Sequence, residues 1–208
     1  VSDTVSNIGS IDGLTTSVVT MAAAAVNVTD TASLAQANTL NGYTTGQVTL
    51  TNVSDTVANL ATLAAINNSE VTIAGAAISV SDAATKANAD TINAYTTGQV
   101  TLTAVSDTVA NVTLIDGLTT SEVTMAGATV TVTDAATLAN ANAINGFTTG
   151  TVTLNAVNDN VANLATLRAI DNSEVTIASG SYTVTDTVSN LISATANDGT
   201  NATSATQF

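Results

Sequence analysis

Apolar and polar residues alternate in short segments that recur along the whole chain. In Val48-Thr49-Leu50 the two apolar side chains point to one side and Thr to the other, which is the period of a half-buried β-strand. Val and Thr are also strong strand formers. The same pattern recurs at Val19-Thr20-Met21, Val71-Thr72-Ile73, Val100-Thr101-Leu102, Val123-Thr124-Met125, Val152-Thr153-Leu154 and Val175-Thr176-Ile177. A second alternation follows in every other segment, as in Ile78-Ser79-Val80 and Val130-Thr131-Val132, and the chain is predicted to form a series of short strands.

The apolar period changes from two to three after each segment, beyond an Asp. One example is the series Val57, Leu60, Leu63 and Ile66. A period of three fits a 3₁₀-helix, and it also fits one stripe of a short α-helix, because the stripe drifts little over two or three turns. Residues 56–66 are the best α-helix candidate. Each strand is therefore predicted to be followed by a short helical return, either α or 3₁₀.

The pattern repeats at a fixed interval of 52 residues. The motif Val-Ser-Asp, or its variant Val-Asn-Asp, starts at Val1, Val53, Val105 and Val157, so the chain divides into four repeats, 1–52, 53–104, 105–156 and 157–208. Fixed spacing without insertions is typical of a stacked array. An Asp recurs at two spacings, a longer and a shorter one, which alternate without exception along Asp3, Asp30, Asp55, Asp82, Asp107, Asp134, Asp159 and Asp186. Each repeat thus predicts two coils of about 26 residues, and the last coil is degenerate from about residue 187.

These elements together predict a single repeat solenoid over residues 1–208, with eight coils, a parallel β-sheet on one side and the helical returns on the other. At about 4.8 Å for each stacked strand, the eight coils would extend about 40 Å. The alternative is a pure parallel β-helix without regular helix. One strand and one return in each coil is a layout similar to that of leucine-rich repeats. The Asn ladder of that family is replaced here by Asp at a different offset from the strand.

Two phrases of the repeat carry a further resemblance. The phrases VSDTVANL at 53–60 and TTGQVTLT at 44–51 resemble repeats of very large secreted or cell-surface proteins of marine bacteria. Examples are the swimming-associated giant surface protein of marine cyanobacteria and RTX-type adhesins. The resemblance covers the whole chain and implies an extracellular or cell-surface location with a structural or adhesive role. The calcium-binding GGxGxD motif of RTX blocks is absent from this sequence.

The composition narrows the function classes. Only 9% of residues are charged and 2% aromatic, whereas 45% are hydrophobic, so the core is predicted to be thin and aliphatic. The net charge is −14 and Lys86 and Arg168 are the only cations, which argues against binding to nucleic acid or anionic lipid. The chain has no Cys or His, which removes thiolate metal sites and the commonest general base, and we predict no enzymatic activity. The longest apolar run, residues 17–28, is too short and too polar to span a bilayer.

The column of eight Asp residues allows two interpretations. Each Asp precedes a helical return and can be its N-cap, accepting a hydrogen bond from the N–H two or three residues on, which is worth roughly 0.5–2 kcal/mol. Eight carboxylates at matched positions can alternatively bind Ca²⁺ between coils. Each coil supplies only one such carboxylate, so capping is the preferred interpretation and no cofactor is predicted.

The polar residue in the middle of each predicted strand is a Thr that faces away from the core. These residues form a predicted outward Thr face of Thr20, Thr49, Thr72, Thr101, Thr124, Thr153 and Thr176. A flat array of Thr can order water and bind ice, and such a face can also bind glycans. The plainer explanation is that Thr is the polar residue best suited to a strand.

These observations favour a structural function. We expect a segment of an extracellular fibre, a surface layer or an adhesin-type surface protein. The end coils of a solenoid expose strand edges, and the chain begins within a well-formed repeat and loses the pattern near its end. Copies of the chain, or adjacent repeats, are therefore predicted to stack head to tail into a rod or filament. The alternative is a binding module for ice or glycan that uses the outward Thr face.

Overall fold

Strands and helices alternate along the chain in a computed structural model that describes residues 1–14, 19–66, 70–118, 122–168, 174–178 and 182–191. The strands are β1 (Ser2–Asp3), β2 (Val26–Ala32), β3 (Val48–Asp55), β4 (Val71–Thr72), β5 (Ala77–Ala84), β6 (Val100–Asp107), β7 (Val123–Thr124), β8 (Thr129–Ala136), β9 (Val152–Asp159), β10 (Val175–Ile177) and β11 (Tyr182–Val184). The helices are α1 (Val5–Asp12), α2 (Leu34–Tyr43), α3 (Val57–Ala65), α4 (Lys86–Asn93), α5 (Val109–Asp116), α6 (Leu138–Asn145) and α7 (Val161–Arg168).

The chain forms two compact units. The first contains Val1–Thr103 and Gly117–Thr124, and the second contains Ala104–Asp116 and Met125–Phe208. Strand β6 is divided between them after Thr103.

The first unit contains a parallel β-sheet. Strand β1 pairs with β2, β2 pairs with β3, and the other edge of β3 pairs first with β4 and then with β5. The pairing of β2 with β3 shifts register between Val28 and Thr31, where β2 contains one residue more than β3. Strand β5 lies beside the start of β6, and the N–H of Ile78 donates to the carbonyl of Gln99 at 2.8 Å.

The second unit repeats this pairing. The end of β6 pairs with β8, β8 pairs with β9, and β9 pairs with β10 and β11, all in parallel. The pairing of β8 with β9 shifts register between Val132 and Ala135, as the equivalent pairing does in the first unit. Each unit is thus a parallel β-sheet with short helices between its strands, consistent with a solenoid-like fold.

The returns are α-helices rather than 3₁₀-helices. Each of the helices named above has eight to ten residues. A helix this short buries one narrow stripe, as in α3, where Leu60 and Leu63 are buried, and in α6, where Ala141 and Ile144 are buried. A stripe of two residues three apart explains why the apolar period did not distinguish the two helix types. No helix in the described ranges is long and apolar enough to cross a membrane.

The predicted strands differ in length from one half of the repeat to the other. The triplets that start at Val48, Val100 and Val152 open strands of eight residues. The triplets at Val71 and Val123 open strands of only two residues, because the chain then turns before β5 and β8. The second alternations, at 78–80 and 130–132, lie in β5 and β8 as expected.

The strand prediction at Val19-Thr20-Met21 is wrong. These residues have no strand conformation. The residue equivalent to Val19 in the next repeat is Val71, which pairs with Val48 of the preceding half-repeat. No strand pairing of this kind involves Val19 in the described residues.

The core is built from the inward strand positions and the helix stripes. In β3 the inward residues Val48, Leu50 and Val53 are each no more than 1% exposed. The largest fully buried side chains in the described ranges are Ile and Leu residues, such as Ile78 and Leu102. The thin aliphatic core predicted from composition is therefore present in both units.

Candidate functional site

The motif Ser-Asp-Thr-Val-x-Asn forms a turn that ends a strand and starts a helix. Strand β3 ends at Asp55, and Thr56 is the N-cap of α3. The Oδ1 of Asp55 accepts hydrogen bonds from the backbone N–H of Thr56 at 2.9 Å and from the Nδ2 of Asn59 at 2.7 Å. The backbone N–H of Asn59 donates to the Oγ1 of Thr56 at 3.3 Å. Three side chains thus hold the junction between strand and helix together.

The same three hydrogen bonds occur in four further copies of this turn. They involve Asp3 with Thr4 and Asn7, Asp107 with Thr108 and Asn111, Asp159 with Asn160 and Asn163, and Asp186 with Thr187 and Asn190. The last copy involves Asp186, which follows Asp159 by the longer of the two Asp spacings.

The remaining helices with a defined cap start differently. An Asp lies three residues before the N-cap, and the cap forms a capping box in which cap and third helical residue bond to each other's backbone N–H groups. The pairs are Ser33 with Gln36, Thr85 with Asn88 and Thr137 with Asn140. From Asp3 to Asp159, the alternation of the longer and the shorter Asp spacing therefore corresponds to two kinds of helix start, and Asp186 departs from it.

Asp carboxylates also accept a hydrogen bond from the preceding helix. The donor is the backbone N–H of the first helical residue, 21 or 25 residues earlier in the chain. These contacts form what we name the carboxylate ladder: Val5 to Asp30 at 2.9 Å, Leu34 to Asp55 at 2.9 Å, Val57 to Asp82 at 2.8 Å, Val109 to Asp134 at 2.7 Å, Leu138 to Asp159 at 2.9 Å and Val161 to Asp186 at 3.1 Å. Since a carboxylate also interacts favourably with the positive end of a helix dipole, each contact stabilises a helix and ties it to the next strand.

The prediction that each Asp is the N-cap of its own helix is wrong. The N-caps of five helices are Thr4, Ser33, Thr56, Thr85 and Thr137. The Asp residues lie one or three positions earlier, in the strands. The shorter hydroxyl side chain reaches the N–H groups of its own helix, whereas the carboxylate, held in the strand, reaches the helix beside it. The Asp residues of the carboxylate ladder bind the helix start of the preceding half of a repeat, and an Asp directly before an N-cap, such as Asp55, also bonds to residues of its own helix start.

The hydrogen bonds lower the pKa of several of these carboxyl groups. The side-chain amide of Asn7, followed by the N–H of Thr4, holds the pKa of Asp3 below its ordinary value. Partial burial raises the pKa of Asp55, but hydrogen bonds from two backbone N–H groups and from Asn59 outweigh it, and the pKa is lowered. The pKa of Asp186 is lowered in the same way as that of Asp3. The pKa of Asp159 is lowered in the same way as that of Asp55. These groups are therefore ionised acceptors at neutral pH.

The carboxylates are arranged to accept N–H groups rather than to share an ion. In the described part of the chain, no three Asp, Glu, His or Cys side chains lie close enough together to hold a metal ion. Within the same residues, every buried polar side-chain atom has a hydrogen-bond partner.

The motif Thr-Thr-Gly forms a second connection, which we name the TTG clasp. The Oγ1 of Thr96 donates to the carbonyl of Ala76 at 2.6 Å and accepts from the N–H of Gly98 at 2.9 Å. The Oγ1 and N–H of Thr97 both donate to the carbonyl of Ala74, at 3.0 and 2.8 Å. The same contacts recur at residues 44–46 and 148–150. The clasp holds the turn before one strand against the turn before the previous strand.

From the sequence alone this motif is a turn before a strand, with no contact assigned to it. A Cβ placed on Gly46, Gly98 or Gly150 would overlap the backbone carbonyl of Ala24, Ala76 or Ala128 respectively. The close approach explains why Thr-Thr-Gly is unchanged in three copies of the repeat while its neighbours vary. The sequence shows that the motif is invariant, but it does not show the reason, which is a contact with residues 20 to 23 positions earlier in the chain.

The predicted outward Thr face is divided into pairs by the strand register. Thr49 pairs with Thr72, Thr101 with Thr124, and Thr153 with Thr176. On its other side Thr49 pairs with Asn27, and Thr153 pairs with Thr131. Thr20, Thr101 and Thr176 are exposed, and the other four are half-buried. The seven Thr residues are therefore parts of several shorter polar rows.

Comparison with protein-family models, with curated proteins and with solved structures finds no match to this chain. The functional interpretation consequently rests on the carboxylate ladder, the TTG clasp and the polar rows of the sheet.

Proposed function

We propose that the chain is a structural repeat segment in which the four sequence repeats form one solenoid of eight coils. Its role is that of a self-stacking segment of an extracellular fibre, a surface layer or an adhesin-type surface protein. The observation that carries this proposal is the carboxylate ladder. Its contacts give the recurring Asp residues a role in joining one half of a repeat to the next, and the TTG clasp gives the recurring Thr and Gly residues the same role.

The mechanism is mechanical. Parallel strand pairing, the carboxylate ladder and the TTG clasp all act between neighbouring strand–helix segments, so that force or thermal opening at one segment is resisted by both neighbours. The high negative charge keeps such a cohesive molecule soluble. The segment binds no metal and catalyses no reaction in this proposal, and it is secreted to the cell surface.

Electron microscopy and sedimentation velocity of the purified chain at increasing concentration test the proposal. We expect rods or filaments of several lengths, with an average mass that rises with concentration. A single species of 20.5 kDa at all concentrations would contradict the self-stacking role.

A second candidate function is ice or glycan binding at the outer face of the sheet. In the second unit, Thr131, Thr153 and Thr176 are neighbours on adjacent strands. In the first unit, Asn52, Ser79 and Thr101 are among the residues that line a shallow open groove. Thermal hysteresis measurements and a glycan array test this candidate. The absence of a signal in both would leave the structural function.

A further inference from the structure

The sheet has an edge at β1 that no other described strand covers. Ser2 and Asp3 pair with Asn27 and Val28 of β2 on one side only. Because the N–H of Asn27 donates to the carbonyl of Val1 at 2.8 Å, the N–H and carbonyl of Ser2 point away from β2. Such an edge is a template for a further strand.

The carboxylate of Asp3 has an oxygen that the equivalent residues use for the carboxylate ladder. The Oδ1 of Asp3 accepts from the N–H of Thr4 at 2.8 Å and from the Nδ2 of Asn7 at 2.7 Å. In Asp55 and Asp159 the Oδ2 accepts the first N–H of the preceding helix. No donor to the Oδ2 of Asp3 is present in the described ranges. The β1 edge therefore offers a strand template and a carboxylate acceptor side by side.

The last described motif of the chain supplies the matching donor. Residues 184–191, Val-Thr-Asp-Thr-Val-Ser-Asn-Leu, differ from residues 1–8 at two positions only. Val188 occupies the same place as Val5 and Val161, whose N–H groups donate to Asp30 and Asp186 in the carboxylate ladder. The side chain of Val188 is 73% exposed, and its N–H has no acceptor among the residues that the structure describes.

The second unit contains a contact of the required form. Val161 and Asp186 each belong to a Ser-Asp-Thr-Val-x-Asn type of turn, and the N–H of Val161 donates to the Oδ2 of Asp186 at 3.1 Å. Beside it β9 pairs with β11 in parallel, and the N–H of Thr185 donates to the carbonyl of Asp159 at 3.0 Å. Two turns of this type can thus stack directly on each other. The turn at Asp3 is of the same type as the turn at Asp186.

We propose that residues 184–191 of one copy dock on the β1 edge of a second copy. The N–H of Val188 donates to the Oδ2 of Asp3 of the second copy, and the N–H of Ser2 of the second copy donates to the carbonyl of Asp186. The occupant of the β1 edge is therefore a second copy of this chain. This inference rests on the proposed head-to-tail stacking and identifies the surface that performs it.

Two substitutions remove the two sides of the contact. Asp3→Asn keeps an oxygen for Thr4 and Asn7 but presents an NH₂ group, a donor, to the incoming N–H. Val188→Pro removes the donating N–H at a position next to a cap, where Pro is well tolerated. Asp12→Asn is the matched control, because Asp12 is exposed at the end of α1 and the substitution changes the net charge by the same amount as Asp3→Asn.

Sedimentation velocity of the full-length chain, at several concentrations and in moderate salt, measures association. Each of the first two substitutions is expected to weaken association by about 10- to 100-fold, as expected for the loss of one hydrogen bond to a charged group. An equimolar mixture of the two variants is expected to form one-to-one dimers and nothing longer. The Asp3→Asn variant retains a working C-terminal motif, and the Val188→Pro variant retains a working β1 edge.

The outcomes separate this interface from the proposed function. Filaments of the Asp3→Asn and Val188→Pro variants equal to those of the unchanged chain would overturn the interface and leave the structural function intact. A mixture that stays monomeric, or an Asp12→Asn variant as impaired as Asp3→Asn, would also overturn the interface. An unchanged chain that is monomeric at every concentration would overturn both proposals.

Discussion

At Gly46, Gly98 and Gly150 the lack of a side chain allows two stretches of backbone to touch. Each of these glycines lies against a carbonyl of the turn before the previous strand, and the Thr two positions before it bonds to the same carbonyl. None of the three has the positive φ that would favour glycine for conformational reasons. Steric contact is therefore what requires glycine at these positions.

Replacement of Gly98 by Ala tests this contact. We expect the free energy of unfolding to fall by about 1–3 kcal/mol, because the new Cβ displaces the carbonyl of Ala76. Gly75→Ala is the control, since a Cβ there meets no atom within 4 Å. The control is expected to be neutral or to stabilise by about 0.4–1 kcal/mol. Equal urea midpoints for the two variants would contradict the close approach.

Replacement of Thr96 by Val tests the hydroxyl of the TTG clasp. Thr96 is 9% exposed and its Oγ1 makes two hydrogen bonds, so we expect a loss of about 1–3 kcal/mol from the isosteric change. Thr97 is exposed and its Oγ1 makes one bond, and the same change there is expected to cost less. Thermal unfolding of the two variants gives the comparison. A larger loss at Thr97 would be inconsistent with the burial of Thr96.

At the scale of elements, the helices of the carboxylate ladder depend on a strand that comes later in the chain. A helix such as α3 takes its cap from its own Thr56, but its first N–H is bound by Asp82 of β5. Neither element would have this bond in isolation, and short helices are marginal in water. The carboxylate ladder therefore makes local structure cooperative with stacking.

The lowered pKa of Asp55 predicts a dependence of stability on acid. Because the folded pKa lies below the ordinary value of 3.8, ionised Asp55 contributes to stability fully above that value. The contribution is lost as the pH falls below about 4 and through the folded pKa. We expect the free energy of unfolding to decrease over this range, as Asp3, Asp159 and Asp186 act in the same direction.

Urea unfolding between pH 7 and 2 measures this effect. The Asp55→Asn variant is expected to be less stable than the unchanged chain at pH 7 and to lose less stability on acidification. The Asp12→Asn variant controls for the change in net charge. A pH dependence of Asp55→Asn as steep as that of the control would show that the ladder contact does not contribute.

At the scale of the whole molecule, a net charge of −14 opposes a fold that is held by short-range contacts. The chain has only two cationic side chains, and one of them, Lys86, pairs with Asp90 at 2.6 Å within its own helix. Most carboxylates therefore repel one another, at distances that salt screens. Added salt therefore weakens the repulsion between carboxylates, whereas the short-range contacts that hold the fold together are screened much less.

Sodium chloride is expected to raise the melting temperature of the chain. The rise follows from screening of the net negative charge between about 0.02 and 0.5 M salt. Calcium at constant ionic strength, compared with a chelator, is expected to give the same melting temperature, since the carboxylates of the ladder already bind N–H groups. A melting temperature well above that in sodium chloride of equal ionic strength would instead support calcium binding by the Asp column.

The sequence by itself determined the alternation of strands and short helices and the inward residues. Positions such as Val100 and Leu102 are buried because alternate residues of a strand face the same side of the sheet, and this apolar side packs into the core. It also determined the two kinds of half-repeat, since the alternation of a longer and a shorter Asp spacing is visible without coordinates.

Only the tertiary structure decided which residues face one another. Strand pairing places Thr72 on one side of Thr49 but Asn27 on the other, and this separates the Thr residues that the repeat had placed in one column. The tertiary structure also decided the role of each Asp, because the hydrogen bond that Asp30 accepts comes from an N–H 25 residues earlier in the chain, in α1. A local pattern specifies which faces are buried, whereas a bond between distant residues depends on the stacking register, and that register is a property of the assembled sheet.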